Sequence, residues 1–282
     1  YRNVQCVGKG SQVAYTRGDT LFFGTVLNMR PIMTLKRLNK LFKDSGLEHT
    51  FDYMPAISFI NEREFDILLA GERYRYSIPR RTLTKLYDHR AITNASNGDI
   101  APNTYYYAYT VNNDLKVAVG NQTKTFEGKG DDIIYGQSVH RNEFGIEKGT
   151  FWSPNGTRLA FYRLDQSMVT DYPRVNTHSR IAMSTPFKYP MAGMKSHEVT
   201  VGIYDTRNDT TIYLNTRNDT SVAEREMYLT NISWSPDEQT IYTARINREQ
   251  NHLWLESYDA SSGDRRNVLF EEQDERYVEP LH

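Results

Sequence analysis

Short runs of apolar and aromatic residues alternate with polar turns along most of the chain. Residues 199–204 and 211–214 are two such runs, and residues 253–258 and 267–270 are two more, each pair separated by a polar segment. Runs of this length predict β-strands, and the polar segments between them predict antiparallel hairpins. Because no helical pattern separates these runs, the sequence argues against alternating βαβ units.

Two stretches repeat the order of a strand ending in tryptophan, a polar turn and a second strand. They read WSPNG from Trp152 and WSPDE from Trp234. Proline presets φ at such a turn, and Gly156 supplies a position that needs a positive φ. The repeats lie 82 residues apart, which we interpret as two propeller blades of about 40–45 residues each. The sequence therefore predicts an all-β fold built as a β-propeller, with a β-sandwich as the alternative.

Two segments depart from the strand pattern. Residues 34–46, TLKRLNKLFKDSG, place four apolar side chains on one helical face, with Thr34 as the N-cap and Gly46 as the stop. This pattern predicts one short amphipathic helix packed on the outside of a sheet. Residues 165–195 contain three prolines and predict a long insertion between strands. Insertions of this length are more often functional or interfacial than ordinary connections are.

Composition narrows the class of partner. The chain carries 34 basic and 35 acidic residues without a marked cluster of Lys and Arg, so it lacks the positive surface that nucleic acid requires. No apolar run approaches the ~20 residues of a membrane-spanning helix. The single cysteine, Cys6, rules out an internal disulfide.

The chain lacks the motifs of a complete active site. Ser138 is followed by Val139 and His140 without the second glycine of a Gly-x-Ser-x-Gly elbow. Paired His or Cys at metal-ligand spacing and a glycine-rich loop that opens a helix are also missing, so we predict no catalytic residue, metal or cofactor in this chain.

Glu143 and Glu147 precede the first tryptophan repeat. A carboxylate on a cavity-facing loop can hold an ammonium group; a solvated loop charge is the alternative.

Several collinear motifs carry a family resemblance. The segment DDIIYGQSVHRNEFGIEKGTFWSPNGTRLAFYR from Asp131, YPMAG from Tyr189, NREQN from Asn247 and YDASSG from Tyr258 resemble the propeller of the dipeptidyl peptidase IV family in the prolyl oligopeptidase clan. The resemblance runs from about Tyr105 to the end of the chain. The form HRNEFGI is most similar to the Bacteroidetes branch, which includes prolyl tripeptidyl peptidases.

The resemblance implies a domain organisation and a function. Family members join an N-terminal propeller, typically eight-bladed, to a C-terminal α/β-hydrolase domain with a Ser-Asp-His triad, and they act outside the cytoplasm, often as homodimers. We therefore expect residues 1–282 to form an incomplete propeller of a longer periplasmic or secreted serine exopeptidase, with the hydrolase domain absent from this chain. The substrate would be a peptide with proline or alanine near its N-terminus. A binding or scaffold propeller without enzymatic activity is the alternative.

The same resemblance assigns candidate substrate-binding residues. In the family an acidic run before phenylalanine binds the substrate ammonium, and here only Glu143 before Phe144 keeps that character. Arg141 and Asn142 occupy the preceding places, so release of dipeptides and release of tripeptides both stay open. Arg73 is near the position of a family arginine that contacts a substrate carbonyl, and it takes that role by position alone.

Overall fold

The computed structural model describes residues 2–7, 12–69, 72–88, 92, 94–104, 106–119, 122–178 and 180–280. Tyr105, where the family resemblance begins, lies outside the described residues. The chain divides into two compact units, Tyr1–Thr93 and Asn94–His282. Each unit is built from antiparallel sheets, and in most of them neighbouring strands are consecutive in the chain.

The first unit contains two four-stranded sheets. The first sheet comprises β1 (Arg2–Val7), β2 (Gln12–Arg17), β3 (Thr20–Thr25) and β4 (Asn28–Thr34). The second sheet comprises β5 (Ala56–Asn61), β6 (Glu64–Leu69), β7 (Glu72–Ser77) and β8 (Thr82–Asp88). The amide of Gln5 joins the two sheets, because it donates to the carbonyl of Ile57 at 3.1 Å and accepts the N–H of Phe59 at 2.9 Å.

The predicted amphipathic helix is confirmed as α1 (Leu35–Asp44). The hydroxyl of Thr34 accepts the backbone N–H of the third helical residue at 3.2 Å, and Gly46 beyond the helix end has a φ of 72°. Both features are the capping chemistry that the sequence suggested. Leu38 and Phe42 are fully buried in the apolar core of the first unit, so the helix packs through its apolar face.

The second unit contains three larger sheets and one hairpin. The first sheet comprises β9 (Ser96–Ile100), β10 (Tyr107–Val111), β11 (Asp114–Val119) and β12 (Gln122–Phe126). The second comprises β13 (Ile133–Tyr135), β14 (Thr150–Trp152), β15 (Arg158–Asp165), β18 (Glu198–Asp205) and β19 (Thr210–Tyr213), and the separate hairpin comprises β16 (Asp171–Asn176) and β17 (Met183–Lys188). After the short helix α2 (Val222–Arg225), the third comprises β20 (Tyr228–Trp234), β21 (Thr240–Ile246), β22 (His252–Asp259) and β23 (Arg265–Gln273).

The two tryptophan repeats have the same role in neighbouring sheets. The indole N–H of Trp152 donates to the carbonyl of Asp99 in β9 at 3.2 Å, and that of Trp234 donates to the carbonyl of Phe151 in β14 at 3.0 Å. The interpretation of their spacing as two blades is wrong. The repeats lie in consecutive sheets, and the insertion after β15 lengthens the interval between them.

The turns that follow the two tryptophans are also equivalent. In each turn the serine hydroxyl accepts a backbone N–H, Ser153 from Arg158 at 3.1 Å and Ser235 from Thr240 at 3.0 Å. Gly156 has a φ of 68° there, and a Cβ at this position would lie 1.9 Å from the carbonyl oxygen of Pro102. The sequence therefore identified the turn correctly, including its need for a left-handed residue.

The insertion predicted between strands is confirmed, since β15 ends at Asp165 and β18 begins at Glu198. It is more regular than the prolines suggested, because β16 and β17 pair as a hairpin with Pro173 opposite Pro186. Proline is tolerated in a two-stranded sheet because both strands are edge strands. All six residues of β16 are exposed, including Tyr172. A functional or interfacial role of this insertion stays a prediction.

Apart from the hairpin of β16 and β17, the described sheets have four or five antiparallel strands and resemble the blades of a propeller. The prediction of a mainly β fold with a short amphipathic helix is confirmed for the described residues. Within the part of the chain that the structure describes, no helix is long and apolar enough to cross a membrane.

Candidate functional site

Glu143 lies in a tight left-handed turn between β13 and β14. His140, Arg141 and Asn142 have φ values of 51°, 59° and 62°, and Phe144 has a φ of 55°. This conformation costs an L-residue about 1–2 kcal/mol. The N–H of Glu143 closes the turn by donating to the carbonyl of His140 at 3.1 Å. Strained backbone of this kind persists only where its surroundings hold it, and it is concentrated at functional sites.

Glu143 lines a cavity of about 410 Å³. Phe144, Gln250, Val278 and Glu279 belong to the same wall. The carbonyl of Gln250 accepts the N–H of Val278 at 2.7 Å, and Val278 is buried in an apolar cluster against which Phe144 packs. The Glu143 turn, the turn between β21 and β22 and the segment after β23 therefore converge on one cavity.

The charged groups near the Glu143 turn leave its carboxylate without a partner among the described residues. Glu226 is buried and forms an ion pair with Arg248. The pKa of the Tyr228 hydroxyl is raised, mainly by burial and also by the Glu143 carboxylate. A hydrogen bond to Gln250 and the charge of Arg248 oppose this shift. Glu143 is exposed, and within the described residues its carboxylate forms no ion pair or hydrogen bond. Among the described residues, the Glu143 carboxylate therefore has no cationic partner.

Arg141 and Asn142 are brought together with Glu143 because all three belong to the turn. The guanidinium carbon of Arg141 lies 4.7 Å from the centre of the Tyr189 ring, in a cation–π contact with the segment after β17. Asn142 is exposed, and asparagine tolerates the left-handed conformation better than most residues. Glu147 is exposed as well and does not line the cavity. Roles of Arg141 and Asn142 toward a substrate stay predictions.

Arg73 lies in the first unit, on β7, and its guanidinium is ion-paired. It binds the carboxylate of Asp66 on β6. Arg75 binds the same carboxylate, with 2.7 Å from its Nε to Oδ1. All three side chains are buried, so Asp66 is a buried anion between two cations. This arrangement gives Arg73 a structural role, and its predicted contact with a substrate carbonyl stays a prediction.

A buried pair of histidines supports the Glu143 turn. The Nδ1 atom of His140 lies 2.8 Å from Nε2 of His197, and Nε2 of His140 accepts the backbone N–H of Leu229 at 3.0 Å. Because a backbone N–H can only donate, Nε2 of His140 is unprotonated and Nδ1 carries the proton given to His197. Both rings are therefore neutral.

The surroundings keep the pair neutral. Burial, and then repulsion from His197, holds the pKa of His140 well below its ordinary value. Burial and then the charge of Arg248 lower the pKa of His197 to about 4, against the opposing effect of Glu226. In the unfolded chain a histidine titrates near ~6.5. Below about pH 6.5 the unfolded state therefore binds more protons than the native state does. The contribution of the pair to the free energy of unfolding is complete above about pH 6.5 and decreases as the pH falls towards 4.

We expect the free energy of unfolding of the second unit to fall by about 3 kcal/mol between pH 7 and pH 4 through His197 alone. Urea denaturation at several pH values, followed by tryptophan fluorescence, measures this loss. His197→Gln keeps an acceptor for His140 but does not titrate, so its stability should depend less on pH. Equal pH dependence in the two proteins would contradict the assignment.

Sequence reasoning misses most of the residues around Glu143. It considers His140 only because Ser138 is close in sequence, whereas the ring bonds to His197 and Leu229. Glu226 and Val278 carry no sequence signal of their own. Gln250 does have one, because it belongs to the NREQN motif that resembles the family.

Comparison with known families and with curated proteins gives a consistent result. The family profile described as the dipeptidyl peptidase IV (DPP IV) N-terminal region matches residues 61–282. Venom dipeptidyl peptidase 4 of Apis mellifera is 25% identical over 226 residues, which cover 73% of this chain and 29% of the relative. Dipeptidyl peptidase 4 of Sus scrofa is 28% identical over 179 residues, which cover 58% of this chain and 23% of the relative. The chain thus spans less than a third of these curated relatives.

Two solved structures are similar over nearly the whole chain. A protein assigned as a dipeptidyl aminopeptidase IV from Bacteroides ovatus has a TM-score of 0.74 and 35% sequence identity, covering 99% of this chain and 39% of that one. Porphyromonas gingivalis dipeptidyl peptidase 4 has a TM-score of 0.63 and 17% identity, covering 99% of this chain and 41% of that one. The second likeness concerns the fold alone.

Proposed function

Because the chain belongs to the family of dipeptidyl peptidase IV N-terminal regions, we propose that it is part of the propeller of a proline-specific serine exopeptidase. In this proposal the sheets are blades of an eight-bladed propeller, and a separate α/β-hydrolase domain supplies the catalytic serine. The propeller admits the peptide and Glu143 binds its N-terminal ammonium group. The protein would then release dipeptides or tripeptides from substrates with proline or alanine near the N-terminus.

The observation that carries the proposal is the carboxylate of Glu143, which has no cation among the described residues and lines a cavity of about 410 Å³. An ammonium group that leaves bulk water needs a charged hydrogen-bond acceptor to offset its desolvation. The left-handed turn constrains the backbone of Glu143, which supports such a role for its carboxylate. A substrate bound by its N-terminus at a fixed point presents one peptide bond to a distant nucleophile, which is the geometry of an exopeptidase.

The position of Glu143 alone leaves the length of the released peptide open. Arg141 occupies one of the positions before Glu143 at which the resembling family has acidic residues, and its guanidinium lies over the ring of Tyr189. A tripeptide needs its ammonium about one residue, roughly 3.3–3.6 Å, farther from the nucleophile than a dipeptide does. Substrate length is therefore a direct measure of how far Glu143 lies from the serine.

The test uses the complete protein and four chromogenic peptides. Gly-Pro-p-nitroanilide and Ala-Ala-Pro-p-nitroanilide are each assayed with a free and with an acetylated N-terminus. We expect cleavage of one free peptide, inhibition by a serine-directed fluorophosphonate, and a loss of at least roughly a hundredfold on acetylation, because the charge pair is lost. Equal cleavage of the acetylated peptides would contradict ammonium binding. The absence of cleavage would favour the binding or scaffold propeller.

A further inference from the structure

The turn that carries Glu143 is held on both sides by β20 of the next sheet. On one side the backbone N–H of Leu229 donates to Nε2 of His140 at 3.0 Å. On the other side the hydroxyl of Thr230 donates to the carbonyl of Phe144 at 3.1 Å. The partners are 89 and 86 residues apart in the chain. Two consecutive residues of one strand thus bracket the candidate anchor.

The chemistry of the first contact requires a side chain with both an acceptor and a donor. His140 is buried, its Nδ1 lies 2.8 Å from Nε2 of His197, and its ring meets the Tyr228 ring edge-on with centroids 4.9 Å apart. A neutral imidazole protonated at Nδ1 satisfies Leu229 and His197 together. A glutamine amide offers the same pair of functions, whereas leucine offers neither. A buried N–H without an acceptor is destabilising, so the contact holds the ring in place.

The backbone of the turn explains why such support is needed. Residues 140–142 and 144 have left-handed φ values, and a strained turn relaxes when the contacts that hold it are removed. Relaxation would displace Glu143, which lies between the two supported residues. A misplacement of about 1 Å in a binding group is enough to reduce turnover by up to roughly a hundredfold.

We propose that His140 is a positioning residue that, together with Thr230, holds the backbone turn from which the Glu143 carboxylate binds the ammonium group of the substrate. The inference rests on the proposed function, because it assigns Glu143 that role. Neither residue needs to contact the substrate. Both act through the backbone of the turn, one through an imidazole and the other through a hydroxyl.

The test compares His140→Leu, His140→Gln and Thr230→Val in the complete protein, each alone and combined with Glu143→Gln. The measured quantities are kcat and KM on the free chromogenic peptide that the protein cleaves, and the rate at which a fluorophosphonate labels the serine. His140→Leu should raise KM about tenfold, Thr230→Val about threefold and His140→Gln less than about threefold, because glutamine restores both hydrogen bonds. Labelling should be unchanged, since the nucleophile is not involved.

Combination with Glu143→Gln separates positioning from general damage. If His140 acts through Glu143, then His140→Leu adds no further loss once the carboxylate has been removed. A folded His140→Leu protein with normal KM, or a fully additive double variant, would overturn the positioning role while leaving the proposed function intact. A Glu143→Gln protein with normal kinetics would overturn the proposed function itself. If His140→Leu does not fold, Thr230→Val decides the question by the same criteria.

Discussion

Replacing Glu143 by glutamine should lower kcat/KM of the complete protein on its free-amine substrate by roughly a hundredfold, the effect of removing one partner of a desolvated charge pair. Glutamine keeps the size and the hydrogen-bonding oxygen of the side chain but not its charge. The carboxylate has no cation within the described residues, so the loss should appear only when a substrate ammonium is present. Steady-state assays at low substrate concentration measure it.

Glu147→Gln is the matched control for this experiment. Glu147 lies on the same connection between β13 and β14, and it is exposed and absent from the cavity wall. Its replacement changes the net charge by the same amount, so kcat/KM should stay within about twofold of the starting protein if only screened surface charge is altered. Equal losses in the two variants would point to long-range electrostatics instead of a specific contact. An unchanged Glu143→Gln protein would refute the anchor.

Replacing Asp66 by asparagine should destabilise the first unit by about 3–5 kcal/mol, the usual result of removing one partner of a buried ion pair. Asp66 is fully buried, and Arg73 and Arg75 both bind its carboxylate. Asparagine has nearly the same volume, so the loss arises from the missing charge and not from a cavity. The guanidinium groups of Arg73 and Arg75 would then lose the carboxylate of Asp66, which offsets part of the cost of their burial.

Hydrogen exchange of the peptides that span β6 and β7 measures this effect, because the tryptophans lie in the second unit. Asp44→Asn provides the matched control in the same unit, since Asp44 forms an exposed pair with Lys40 on α1. Exposed pairs contribute little, so exchange in that variant should be unchanged. Similar protection in Asp66→Asn and the starting protein would show that the cluster is not needed for stability.

The structure gives Arg73 and His140 partners that the sequence does not show. Sequence position suggests a substrate contact for Arg73, and the fold gives it Asp66 as a partner. Proximity to Ser138 draws attention to His140, and the fold gives it a structural bond to Leu229. In both cases the sequence identifies the residue but not its partner, because the partner lies on a strand that comes close only when the chain folds.

The sequence by itself determined the features that depend on near neighbours. Alternating apolar runs gave the strands, serine and proline gave the turns after Trp152 and Trp234, and Thr34 and Gly46 gave the ends of α1. These features depend on φ preferences and on hydrogen bonds between residues a few positions apart, which local residue types control. The family resemblance added the place of Glu143, since a motif preserves order along the chain.

Only the tertiary structure decided which sheets are neighbours and what holds Glu143. The 82-residue spacing does not correspond to two blades, because a hairpin inserted after β15 lengthens the chain between the repeats without altering the order of the sheets. His140 meets His197 and Leu229 across 57 and 89 residues. Contacts at such separations form only when whole sheets pack together, and no periodicity in the sequence encodes that packing. The sequence therefore indicates Glu143 as the candidate anchor, and only the fold shows which residues support its turn.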